Sequence, residues 1–321
     1  MGPSVNLRAT DLLSASRGAR APLFTAHDLL LLLYLYPFRL LSAFASRDLL
    51  YQIARVAEPF LQFHSREWKN TVRRRMLAAP CLDITPDQAA RIARRLVSNA
   101  AFRLMDDLVL SRPSFQDALG DAEVRGIEHL ERGMSAGKGV VLLNGHFYAG
   151  RLARRYLATI GYPTLTVRHQ MPSEDLAGRL GRRILQPRLV KFLHEVIRDE
   201  VYVQNPGCTL KILQRLRSGG LVNIHFDARH GARTVESRLL GVPRAFSSGI
   251  FDIVRLSGCA VVPMLCLGRS TDLRIIFGPR LDIVDTSGRD EFVAANLPSF
   301  VQTIEKQISE NPEEWTLWMR L

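Results

Sequence analysis

The sequence predicts an α/β fold: a mostly parallel sheet covered by helices and preceded by a helical N-terminal region. Three observations carry this. Short apolar runs at residues 139–144, 163–167, 221–226, 260–265 and 273–277 have the length and composition of strands. Helix-length stretches at residues 152–160, 176–185, 208–218 and 248–256 separate most of them. The runs also read as apolar along their whole length, the pattern of strands covered on both faces.

Residues 1–24 mix Ser, Gly, Ala and Arg without periodicity and read as a mobile basic tail. Residues 25–121 form a helical region, and residues 122–321 the α/β domain. Within the helical region, Thr85 fits an N-cap with Pro86 at the first helical position, and Gln88 completes a capping box. The run at residues 29–38, LLLLLYLYPF, is too short to span a bilayer, which takes roughly 18 or more residues. It fits a helix lying in a membrane interface and fits a buried core helix equally well. No clean signal-peptide cleavage site follows it.

The chain has 321 residues, 47% hydrophobic and 23% charged, a globular composition that excludes disordered and collagenous classes. Net charge is +12, and five of the 43 basic residues are lysines, leaving 38 arginines. A GC-rich genome, which favours Arg codons, is one reading of this excess, and contacts with phosphate or carboxylate are the other. Their placement is uneven, however: residues 151–198 hold ten basic residues against Glu174, Asp175 and Glu195. Such a patch suits an anionic partner. Cys81, Cys208, Cys259 and Cys266 show no metal-binding spacing and read as reduced thiols.

In open parallel sheets ligands bind at the carboxyl ends of the strands, so the residues following each predicted strand are the candidates. The first strand runs into Gly145 and His146, a residue type whose near-neutral pKa suits general-base work. Tyr148, two residues on, fits either an oxyanion donor or packing. The strand at 221–226 ends in Asp227, with Arg229 and Arg233 beyond it: an orienting acid beside an anion clamp, or a solvated strand end. Arg168 and Gln170 close the strand before. His225, Asp227 and His230 match no strong metal motif, and no metal is expected. Trp315 and Trp318 read as helix packing. No P-loop, G-x-G-x-x-G after a strand or G-x-S-x-G elbow occurs.

The ordered set RGIEHLE (125–131), GKGVVLLNGHF (137–147), GYP (161–163), VRHQ (167–170), LRSGG (216–220), FD (226–227), LGVPRA (240–245), GCAVVP (258–263) and PEEWTLWMR (312–320) resembles the bacterial lipid A biosynthesis (lauroyl/myristoyl) acyltransferase family of the lysophospholipid acyltransferase superfamily. It covers about 200 of the 321 residues. The resemblance implies an αβα acyltransferase-type domain. It also implies acyl transfer from an acyl carrier protein or coenzyme A thioester to a hydroxyl or amine, with His146 as base, Arg168 and Gln170 in the substrate-contacting segment, and no cofactor beyond the donor. Arg151, Arg229 and Arg233 are the further anion contacts expected.

The family pattern is His, four residues, then Asp or Glu; here Arg151 stands at the acid's position. Three accounts remain open. Asp227 replaces the acid, or the acceptor is already nucleophilic, or catalysis is lost and only lipid or carrier binding is kept. A specialised-metabolite or aminoacyl-RNA-dependent transferase is the rival enzyme, and only there would RNA be a partner. The expected location is cytoplasmic, peripheral on the cytoplasmic face of the inner membrane, with an anionic membrane surface as a further partner.

Overall fold

A computed structural model of the chain describes residues 22–112, 115, 122–169, 178–197, 199–228 and 233–321. They fall into two compact units, one of residues 22–41 with 178–192, the other containing the remainder.

In the smaller unit, α1 (Ala26–Leu33) passes through a π-helical turn at Tyr34–Phe38, which contains Pro37, into α2 (Arg39–Phe44). Thr25 and Asp28 form a reciprocal capping box. The Asp28 carboxylate is fully buried and accepts the Gly178 amide at 3.0 Å. A side chain at Gly181 would collide with it, since a Cβ there would lie 1.7 Å from the carboxylate. Tyr34 and Leu35 are buried, whereas Leu29, Leu30, Leu32, Leu33 and Leu40 face outward. Among the described residues no helix is long and apolar enough to cross a membrane.

The larger unit begins with three helices, α3 (Arg47–His64), α4 (Arg66–Leu77) and α5 (Pro86–Leu110). The expected capping box opens α5: Gln88 N donates to Thr85 Oγ1 at 3.3 Å, and Thr85 N donates to Gln88 Oε1 at 2.6 Å. Then follow β1 (Glu123–Arg125), α6 (Ile127–Ser135), β2 (Val140–Asn144), α7 (Gly150–Thr159), β3 (Thr164–Arg168), α8 (Gln186–Ile197, whose residues up to Phe192 belong to the smaller unit), β4 (Glu200–Tyr202), α9 (Cys208–Arg217) and β5 (Leu221–His225). The hairpin β6 (Thr234–Leu239)–β7 (Val242–Ser247), α10 (Gly249–Ser257), β8 (Ala260–Leu267), β9 (Arg274–Phe277) and α11 (Arg289–Glu310) complete the chain, with a 3-10 turn at Trp318–Arg320.

The described strands form a seven-stranded sheet in the order β1-β9-β8-β2-β5-β3-β4, parallel except for the β8–β9 pair. The five apolar runs become β2, β3, β5, β8 and β9. The short edge strands β1 and β4 carry too few apolar residues to be noticed, and β6–β7 is a separate antiparallel hairpin whose β6 alternates exposed and half-buried positions up to buried Leu239. Gly139, with φ of 70°, lets the chain enter β2 past the Leu216 carbonyl, where a Cβ would meet the oxygen at 2.6 Å.

Register divides the strand residues between two buried faces, both largely apolar in β2 and β8. Val141, Leu143, Leu165, Val222, Ile224, Val261 and Leu265 lie in the main core with α9, α10, α11, Trp315 and Trp318. The pairings Asn144↔His225 and Thr166↔Asn223 put Asn144, Asn223, His225, Thr166 and Arg168 on the opposite face, since paired residues share a face. That face is polar toward the carboxyl ends of the strands.

Candidate active site

The β2–β5 pairing sets Asn144 opposite His225, and one further bond, Phe226 N to Asn144 O at 3.0 Å, carries the register beyond the strands. His146 and Asp227, each two residues on, therefore meet across the carboxyl edge. His146 Nδ1 lies 2.5 Å from Asp227 Oδ1, and the His146 amide donates to Asp227 Oδ2 at 2.7 Å. Gly145 is required between them, because a Cβ there would sit 3.2 Å from Asp227 Oδ2 and 2.9 Å from the Phe147 ring.

Asp227 is fully buried. A third donor reaches it from the chain's end: Trp315 Nε1 lies 2.6 Å from Oδ2. Burial alone would raise this carboxyl, but the His146 charge and the hydrogen bonds from His146 and Trp315 outweigh it and hold it well below the usual carboxylate range. An ionised carboxylate only accepts, so Nδ1 of His146 carries a proton, and in the neutral imidazole the lone pair is on Nε2. The imidazole is 32% exposed, and no hydrogen bond to Nε2 occurs among the described residues.

The C-terminal segment clamps this turn. The Thr316 amide and hydroxyl both donate to the His146 carbonyl, at 2.8 and 2.9 Å, and the Tyr148 amide donates to the Glu314 carbonyl at 3.1 Å. Arg244 closes the back by donating to the Asp227 carbonyl at 2.8 Å. Trp315 is thus a partner of the buried acid as well as a packing residue. His225 stacks against His146 with ring centroids 4.3 Å apart. Desolvation, then the charges of His146 and Arg154, hold it well below the usual histidine range, so it stays neutral.

The other expected contacts are dispersed. Arg151, at the start of α7, pairs through Nη1 with the Asp107 carboxylate on α5. Arg168 binds Glu200 at 2.6 Å. Arg233 is exposed at the entrance to β6. Tyr148 corrects the expectation of an oxyanion donor: its hydroxyl donates to the Leu96 carbonyl at 2.9 Å, and burial pushes it up to about 12. Gln170, Arg229 and His230 lie outside the described residues. Among the described residues no group of His, Cys, Asp and Glu is arranged to hold a metal.

Restoring the family pattern with Arg151→Asp therefore sets two carboxylates side by side. We expect a loss of about 2–3 kcal/mol, less than a fully buried pair because Arg151 is 20% exposed, measured as a lower urea midpoint. Adding Asp107→Arg in the same chain should recover most of it.

The adjacent Asp106 turns the other way, to the Tyr51 hydroxyl at 2.6 Å, with Ser270 completing the cluster. Burial raises it to about 7, and Glu314 is raised to about 7 by burial and then by Glu313. Both bind a proton in the folded state that the unfolded chain has released. Stability should accordingly fall as pH rises from about 4 toward 7. Denaturation midpoints across that range should show the slope, and Asp106→Asn should flatten it.

Fold and site together define an α/β protein with a half-buried His–Asp pair at the carboxyl edge of a mostly parallel sheet. The profile of the family described as bacterial lipid A biosynthesis acyltransferase matches residues 25–321. The chain belongs to that family of acyltransferases. Among curated proteins, none matches the sequence. A solved structure, the 1-acyl-sn-glycerophosphate (LPA) acyltransferase PlsC from Thermotoga maritima, is similar at 14% identity with a TM-score of 0.35, over 87% of this chain and 97% of that one.

Proposed function

We propose that the chain transfers an acyl group from an acyl carrier protein or coenzyme A thioester to a hydroxyl or amine, with His146 as general base and Asp227 as its orienting acid. The observation that carries this is the 2.5 Å contact between His146 Nδ1 and a buried, ionised Asp227, which in the neutral imidazole puts the lone pair on Nε2. Nε2 takes the proton of the acceptor O–H or N–H as that atom attacks the thioester carbonyl. The tetrahedral oxyanion collapses, expels the thiolate, and the imidazolium returns the proton to sulfur. No covalent bond to the enzyme is formed. Asp227 does here what the acid at the position of Arg151 does in the family pattern.

Arg168, Gln170, Arg229, Arg233 and the solvent-facing side of Arg151 are the proposed anion contacts for donor and acceptor. The enzyme works as a peripheral protein on the cytoplasmic face of the inner membrane. The outward leucines of α1, with Arg39, Arg182, Arg183 and Arg188 in the same unit, support that placement. The test is the full chain with acyl-carrier and acyl-coenzyme A thioesters, following release of free thiol with and without lipid hydroxyls and amines. Acceptor-dependent release is expected. Absence of release with every acceptor, unchanged by His146→Ala, overturns the reaction.

A further inference from the structure

The polar face of the sheet contains hydrogen-bonding capacity that the His146–Asp227 pair does not use. Arg154, on α7, is only 9% exposed, and its Nε and Nη1 have no hydrogen-bond partner among the described residues. Its Nη1 points back along the helix, where a Cβ on Gly150 would lie 3.4 Å from it, so the guanidinium head sits at the level of the turn that carries His146. The charges of Arg151, Arg168 and Glu200 act on it, and it in turn acts on His225, the ring stacked on His146. On the strands of this face, Asn144 and Asn223 bond each other, yet Asn144 Oδ1 and Asn223 Nδ2 are also buried without partners.

A buried guanidinium ordinarily has an acid against it. Here the nearby acid, Glu200, is already engaged by Arg168 and His194. Cys266 is pushed up to about 12 by burial and stays a neutral thiol. Arg154 itself, lowered to about 10 by burial, keeps its charge at neutral pH. Among the described residues the cation is left without a counter-anion of its own.

Resting on the acyl-transfer reading above, we propose that Arg154 forms an anion subsite next to the His146–His225 pair and takes a phosphate group of a substrate. That phosphate belongs either to the donor's phosphopantetheine arm or to the acceptor.

The test is thermal unfolding of the full chain in increasing inorganic phosphate at constant ionic strength, with Arg154→Gln and the exposed-site control Arg217→Gln. Wild type and Arg217→Gln should show the same saturable rise in Tm. Arg154→Gln should bind phosphate about tenfold more weakly or not at all. An undiminished rise in Arg154→Gln overturns the subsite and leaves solvent as the partner of these atoms. Should the glutamine variant fail to fold, Arg154→Lys keeps the charge but loses the planar fork, and an unweakened response there is equally fatal. Tighter binding of coenzyme A than of glycerol 3-phosphate assigns the phosphate to the donor; the reverse order assigns it to the acceptor. His146→Ala separates the two proposals. Phosphate binding through Arg154 without acyl transfer in any form of the protein refutes the reaction alone. Transfer with an unchanged Arg154→Gln response refutes the subsite alone.

Discussion

His146→Ala is expected to lower kcat/KM for acyl transfer by about a thousandfold or more while leaving the protein folded, with Tm lowered only by the loss of one hydrogen bond to Asp227. The imidazole is a third exposed, so its removal opens no core cavity. The backbone contacts that fix the turn, from Thr316 to the His146 carbonyl and from the His146 amide to Asp227, do not depend on the side chain. The effect should fall on kcat more than on KM, since the ring acts on the proton in flight. Thiol release and calorimetry on one preparation read both quantities. Retained turnover removes His146 from the mechanism.

Asp227→Asn should be worse for the molecule as a whole. The carboxylate accepts three hydrogen bonds, from the His146 amide, His146 Nδ1 and Trp315 Nε1. An amide of the same shape keeps one acceptor oxygen and turns an N–H toward donors. It leaves at least one buried donor unpaired, costing about 1–3 kcal/mol. It also favours the imidazole tautomer with the proton on Nε2, and a rate loss of about ten-thousandfold is expected by analogy with acid-to-amide exchange in a serine-protease triad. Asp252→Asn is the control: Asp252 is partly exposed and pairs with Arg289, so its loss should leave the rate within about twofold. Equal rate effects at the two positions would discard Asp227 as the orienting acid. pH gives a second readout. The folded-state carboxyl is held below its unfolded value, so its contribution to stability is present above about pH 4 and is lost as pH falls further. The asparagine variant should lack that acid-side loss.

The five strands of the sheet's interior and near edge were legible because each is a short apolar run between helix-length segments. The α5 capping box was legible because it is a local, side chain-to-backbone device. β1 and β4 were not, since three-residue edge strands bury too little to leave a pattern, and the polar face escaped notice because Asn223 and His225 interrupt an otherwise apolar run. His146 and Asp227 could be proposed from strand ends alone, as could the mismatch at Arg151. Trp315 and Arg154 could not. An indole 88 residues from its acceptor and a helical arginine in a chain with 38 arginines carry no local mark.

The sequence by itself determined the alternation of strands and helices, the basic bias and the family, because these rest on periodicity, composition and ordered motifs. Only the tertiary structure decided which carboxylate faces the imidazole, that Arg151 turns to Asp107, and that Arg154 is buried with two nitrogens unpaired among the described residues. Each depends on strand register and helix rotation. A shift of one residue in register would turn these side chains to the other face, and burial then sets how strongly each charge is felt.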